Sequence, residues 1–140
     1  MSGELLYLDS SALVKLVLPE KETSALLSAL EHWPERVTSE IALVEVVRAA
    51  RRASDTAQVR ERARQVMEAI HLIRLDRDLL DSATRLAPVT LRSLDSIHLA
   101  SALALGSDLG AFAAYDRGLR HAARLAGVKV LAPAQHRRRQ

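Results

Sequence analysis

Apolar residues in this chain come in runs of four or five, separated by longer stretches with helical spacing, and that alternation limits the possible folds severely. Glu4-Leu5-Leu6-Tyr7-Leu8 stops at Asp9, Ala111-Phe112-Ala113-Ala114-Tyr115 stops at Asp116, and Val128-Lys129-Val130-Leu131 is closed by Pro133. Such runs are too short for buried helices and read as strands covered on both faces. Arg36-Val37-Thr38 and His71-Leu72-Ile73-Arg74-Leu75 supply two more.

The segments between carry helix signals. Asp9-Ser10-Ser11 is an N-cap pattern for a helix through Val17, with Pro19 as its break. A second helix is expected from Thr23 to about His32, ended by Pro34. Ser39 caps a third, to about Ala53, and a fourth runs from about Ala57 to Ala69. Asp76 or Asp78 starts the next, to about Ala87, and Ser93 caps an apolar helix to about Leu105. A last helix runs from about Gly118 to Ala126, with Gly127 as a C′ stop. Gly106–Gly110 reads as a turn. Strands alternating with helices imply an α/β fold: a parallel sheet of about five strands with helices on both faces and right-handed crossovers. At 140 residues, 49% of them apolar, one domain over residues 1–133 is expected, followed by a basic tail at 134–140.

Charge and cysteine content narrow the function classes. The net charge of +3 vanishes without Arg137, Arg138 and Arg139, so bulk charge gives nucleic-acid binding little support. Arg48, Arg51, Arg52, Arg60, Arg62 and Arg64 concentrate positive charge mid-chain; taken alone, a solvated helix face explains them. Without cysteine there is neither disulfide nor thiolate metal site. No basic-then-apolar leader opens the sequence, and no apolar run would span a bilayer. A soluble cytoplasmic protein is expected.

Four acids stand where carboxylates are costly. Asp9 and Asp116 each follow a strand, Glu45 interrupts Leu43-Val44-Glu45-Val46-Val47, and Asp95 opens the helix Leu94-Asp95-Ser96-Ile97-His98. Ligands of open parallel sheets bind beyond the C-terminal strand ends, where strand order reverses. Should the strands before Asp9 and Asp116 be neighbours there, all four acids can converge. Two like charges about 4 Å apart repel by roughly 4 kcal/mol at an effective dielectric near 20. Such a group must spread, take up protons or bind a hard cation such as Mg²⁺ or Mn²⁺. Each acid also has a plain structural reading. Asp9 suits an N-cap, Glu45 could pair with Arg48 at i+3, Asp95 meets a helix dipole, and Asp116 could be a turn residue.

Taken together, Leu6-Tyr7-Leu8-Asp9-Ser10-Ser11-Ala12-Leu13, Leu43-Val44-Glu45-Val46, Leu94-Asp95-Ser96-Ile97-His98-Leu99-Ala100 and Ala114-Tyr115-Asp116-Arg117-Gly118-Leu119 resemble the PIN-domain ribonucleases, specifically VapC-type toxins of bacterial toxin–antitoxin pairs. The resemblance spans about residues 5–131. It implies a PIN-like domain in which Asp9, Glu45, Asp95 and Asp116 bind Mg²⁺ or Mn²⁺ and serve catalysis. It further implies RNA as substrate, cleaved by a metal-activated water, a homodimer, and a cognate antitoxin that often inserts a basic side chain among the acids. Ser11 would hydrogen-bond a carboxylate or the metal's water, although capping the first helix explains it equally well. Ala114 departs from the family, which commonly has Thr or Ser two residues before the last acid; a polar contact to the metal's water shell is expected to be missing.

Other residues weigh less. His98 reads as packed on its helix, and the scattered histidines contain no zinc spacing. Neither a Gly-rich phosphate loop nor a Gly-x-Ser-x-Gly elbow occurs. Arg48 and Arg117 are candidate RNA-phosphate contacts. Aromatic residues are few, so base stacking would be limited. Two rival functions remain. A phosphoaspartyl hydrolase would need a second Asp two residues after Asp9, where Ser11 stands. A non-catalytic nucleic-acid-binding or protein-interaction module is separated from the enzyme by an assay of metal-dependent cleavage.

Overall fold

The computed structural model describes residues 3–134, so the expected basic tail lies outside the described residues apart from Ala134. The strands are β1 (Leu5–Leu8), β2 (Glu35–Ser39), β3 (His71–Ile73), β4 (Leu109–Ala113) and β5 (Val130–Leu131). The helices are α1 (Ser10–Val17), α2 (Thr23–Leu30), α3 (Ile41–Ala53), α4 (Ala57–Glu68), α5 (Arg77–Thr84), α6 (Ser93–Leu103) and α7 (Arg117–Leu125). The strands form one sheet in the order β3-β2-β1-β4-β5, and every neighbouring pair is parallel. From β1 the chain first winds outward through β2 and β3, then returns to β1's other side for β4 and β5. Strand order therefore reverses between β1 and β4, as the sequence argument required.

Period-two alternation places the core on both faces of this sheet. Leu6 and Leu8 of β1, with Ala111 and Ala113 of β4, pack beneath Ala12, Leu13 and Leu16 of α1, Ala42, Val46 and Ala50 of α3, and Ala63 and Met67 of α4. Tyr7 and Phe112 point the other way and stack at 5.1 Å between centroids, against Leu99 and Ala102 of α6 and Leu119, Ala122 and Ala123 of α7. Alanine recurs where α6 and α7 approach the sheet because small side chains let the backbones come close. The sheet's edges are its shortest strands, β3 and β5, which limits the unpaired backbone available for edge-to-edge association.

Several boundaries differ from the sequence reading. β4 starts at Leu109, inside the segment expected to turn. Gly110 permits this, since any side chain there would collide with the Gly3 carbonyl and the Trp33 ring. We expect Gly110→Ala to cost about 1–3 kcal/mol by overpacking, read as a lower urea midpoint with unchanged slope; a variant as stable as the parent would contradict this packing. Helix α5 ends at Thr84, ahead of the expected Ala87. Ser93 is not the cap of α6: Arg92 occupies that position and caps through no side-chain hydrogen bond. The stop of α7 is as expected. Gly127 has φ 83°, Val128 N–H donates to Ala123 O and Gly127 N–H to Arg124 O, which is the Schellman pattern.

Candidate active site

The four acids meet at the reversal point. Asp9 follows β1 directly, and its N–H donates to Ala113 O at the end of β4 over 3.0 Å, which ties the two central strand ends together. Asp116 lies three residues beyond β4 and caps α7, Glu45 lies in the second turn of α3, and Asp95 in the first turn of α6. All four line one cavity of about 410 Å³, with Ser10, Ser11, Arg92, Ser93, Leu94 and His98.

Asp9 and Glu45 are each anchored through one oxygen. Asp9 Oδ1 accepts from Ser11 Oγ at 2.7 Å and from Ala12 N–H at 3.0 Å. Ser11 Oγ in turn accepts from Tyr115 N–H, so this hydroxyl joins β1's end to the loop after β4. Glu45 Oε1 accepts from Ser10 Oγ at 2.8 Å and lies 2.6 Å from His98 Nε2. Asp95 Oδ2 faces Arg92 Nε at 3.4 Å. Asp9 Oδ2, Glu45 Oε2 and Asp95 Oδ1 take no hydrogen bond from any described residue. Asp116 is the exception, with both oxygens engaged: Oδ2 by Leu119 N–H at 2.9 Å and Oδ1 by Arg92 at 2.9 Å.

A pairing of Glu45 with Arg48, which helical spacing allowed, does not form. Glu45 turns instead to His98, 53 residues away. His98 is 1% exposed, and its Nδ1 lies 2.7 Å from Tyr7 Oη, which also accepts Ser39 N–H. An ionised Glu45 only accepts, so Nε2 carries a proton, and in a neutral His98 Nδ1 then accepts from Tyr7. The result is a buried line of hydrogen bonds from β2 through Tyr7 and His98 to Glu45. His98 is thus packed, as expected, but it also fixes one of the four acids.

Burial and mutual charge shape the acids' protonation. Burial pushes the Asp9 carboxyl up to about 6, against the opposing pull of its Ser11 and Ala12 hydrogen bonds. Burial and the neighbouring Asp116 raise Asp95. Burial acts the same way on Glu45, but hydrogen bonding from His98 and Ser10 outweighs it and holds that carboxyl below its ordinary value.

The remaining sequence candidates lie outside this cavity. Arg48 is exposed on α3 and lines a separate hollow of about 240 Å³ with Arg51, Arg52 and Asp55. Arg117 is exposed at the start of α7. Ala114 is fully buried against the Tyr7–Phe112 cluster and does not line the cavity. Ser10 and Arg92 went unrecognised in the sequence. Serine beside a cap and arginine before a helix are commonplace, and only distant partners distinguish them. Among the described residues, no three His, Asp or Glu side chains are gathered tightly enough to hold an ion as they stand.

A five-stranded parallel sheet with acids converging at its central reversal defines a class, and sequence comparison agrees with it. The PIN-domain family model matches residues 6–125, and the chain belongs to that family. Within it, the chain is similar to VapC ribonucleases. It is 43% identical over 129 residues to Ribonuclease VapC46 of Mycobacterium tuberculosis, covering 92% of this chain and 98% of that one. Ribonuclease VapC47 of the same species is 35% identical over 133 residues, covering 92% and 97%, and Ribonuclease VapC35 is 38% identical over 144 residues, covering 95% and 100%. No helix among the described residues is long and apolar enough to cross a membrane.

Proposed function

We propose that this chain is a divalent-metal-dependent endoribonuclease, the toxin of a type II toxin–antitoxin pair. Asp9, Glu45, Asp95 and Asp116 would hold Mg²⁺ or Mn²⁺ and carry catalysis. The observation that carries the reading is that Asp9, Glu45 and Asp95 converge with one carboxylate oxygen each left unbonded, Asp9 and Glu45 being anchored through the other. Carboxylate oxygens without soft ligands suit hard cations. The raised Asp9 and Asp95 carboxyls mark a negative charge that the fold leaves undercompensated. When bound, the cation supplies charge to phosphoryl oxygens and makes water acidic enough to attack at neutral pH.

The chain's own groups orient and position. Ser11 and Ala12 N–H fix Asp9, and His98 with Ser10 fixes Glu45. Arg48, one turn from Glu45, and Arg117, next to Asp116, would meet phosphates on either side. The ribonuclease names carried by the relatives support RNA as substrate, and the resemblance to VapC-type toxins implies a cognate antitoxin as partner. A homodimer, a cytoplasmic setting and one nuclease unit over residues 1–133 belong to the same reading.

The test is cleavage of a mixed RNA pool, including intact tRNA and ribosomes, by purified partner-free protein with Mg²⁺, with Mn²⁺ and with chelator. Metal-dependent cleavage is expected, with Asp95→Asn lowering the rate by roughly 10³-fold while circular dichroism stays unchanged. Full activity in that variant, or in chelator, would refute the metal mechanism. RNA binding without cleavage under every condition would favour a binding module of the same fold.

A further inference from the structure

We propose that Arg92 serves this site in two states: it neutralises Asp95 and Asp116 while the acids hold no cation, and it passes to a phosphate oxygen of the RNA once a divalent cation has taken its place. The inference deepens the metal-dependent reading above and rests on it.

Among the described residues, Arg92 is the only Lys or Arg in the wall of the acidic cavity. Its Nε lies 3.4 Å from Asp95 Oδ2 and its second guanidinium nitrogen 2.9 Å from Asp116 Oδ1, so one side chain bridges two acids. The pattern of carboxylate oxygens shows what this costs the site. Asp9, Glu45 and Asp95 each keep an unbonded oxygen, whereas Asp116 keeps none, because Arg92 holds its Oδ1. Release of Arg92 would bring Asp116 into line with the other three. Guanidinium and cation therefore compete for the same oxygen.

The hold is of a kind that yields. The Arg92 side chain is 75% exposed, and exposed ion pairs are weak. A second hollow of about 260 Å³, walled by Thr90, Gly118 and His121, shares Arg92, Asp95 and Asp116 with the acidic cavity, so a displaced guanidinium has room beside it. It cannot go far. Arg92 is the N-cap of α6, three residues before Asp95, which keeps its head at the rim where RNA would lie. A planar fork of donors matches two phosphate oxygens, which a lysine ammonium does not. The cation would then repel Arg92 from the acids, and the incoming phosphate would recapture it.

The test follows the Arg92 side-chain Nε–H resonance of ¹⁵N-labelled, partner-free protein during Mg²⁺ titration, assigned with Arg92→Lys, alongside calorimetry of Mg²⁺ binding. The resonance is expected to move with the calorimetric midpoint, and to move again when an uncleavable phosphorothioate RNA is added. In Arg92→Gln, Mg²⁺ should bind about 5-fold tighter, the size of one exposed ion pair. The same variant should lose roughly 10²-fold in kcat, partly restored in Arg92→Lys. A resonance that stays put while calorimetry records Mg²⁺ binding overturns the exchange and leaves the metal reading intact. Absence of Mg²⁺ binding overturns both, and calorimetry tells the cases apart. Tighter Mg²⁺ binding with unchanged kcat would reduce Arg92 to a counterion and overturn the phosphate half.

Discussion

Asp9→Asn should lose cleavage by roughly 10³-fold and, in chelator at pH 7.5, unfold at higher urea than the parent. Both effects have one cause. Asp9 is 3% exposed and its carboxyl is pushed up from 3.8 to about 6 by burial. A folded-state value above the unfolded one means that folding opposes ionisation. The penalty is fully present above pH 6, shrinks as pH falls through 6, and is gone below 3.8. At pH 7.5 it amounts to about 3 kcal/mol at most. Asparagine keeps an oxygen for the Ser11 hydroxyl and Ala12 N–H but carries no charge, so it escapes the penalty. The cation-free parent should thus gain stability from pH 7.5 to 5, while the variant lacks that gain. Below about pH 4.5 the sign reverses for Glu45, whose carboxyl is held below its ordinary 4.5 and whose protonation costs stability. Urea unfolding of both proteins at pH 5, 6 and 7.5 decides the matter. A variant no more stable than its parent at pH 7.5 would mean that Asp9 is not strained, and would remove one motive for a cation at this site.

Some parts of this site are legible in the sequence and others are not. Asp9 and Asp116 were legible because each ends a short apolar run, and a strand's end in a parallel sheet is where ligands collect. Glu45 stood out because helix α3 is apolar around it. The neighbouring of β1 and β4 was a condition the sequence could state but not fulfil, since strand order is decided by packing between segments about a hundred residues apart. The Gly127 stop was local chemistry and came out as expected.

What eluded the sequence was the set of groups that compensate the acids. Helical spacing suggested Arg48 for Glu45, yet Arg48 is turned outward and the partner comes from α6. A histidine on an apolar helix carries no mark of its role until Tyr7 and Glu45 are seen on either side of it. Ser93 looked like the cap because cap rules concern neighbours in the chain, whereas Arg92, which holds that position, pairs with Asp116, 24 residues away. Gly110 seemed a turn residue since glycine in a strand is costly; here the missing side chain is what lets Trp33 pack over β4.

His98→Ala is the second variant expected to have a large effect, and it separates holding a carboxylate from binding a cation. Removing a fully buried ring leaves a cavity and strips a partner from both the Tyr7 hydroxyl and Glu45 Oε1. Cavity formation together with an unsatisfied buried hydroxyl should cost about 3–5 kcal/mol. Glu45 keeps only Ser10 and becomes free to turn, so cleavage should fall by roughly 10- to 100-fold, the range seen when groups that orient ligands are removed. Because lost stability alone could lower activity, two conservative variants decide the interpretation. The amide nitrogen of glutamine reaches the position of Nε2 and can still donate to Glu45. Asparagine reaches the position of Nδ1 and can serve only Tyr7. If His98 acts by positioning Glu45, His98→Gln should recover more cleavage than His98→Asn even where their urea midpoints agree, and the recovery should appear in kcat at saturating Mg²⁺. Equal recovery, or recovery that tracks stability alone, would make His98 a core residue whose contact with Glu45 is incidental.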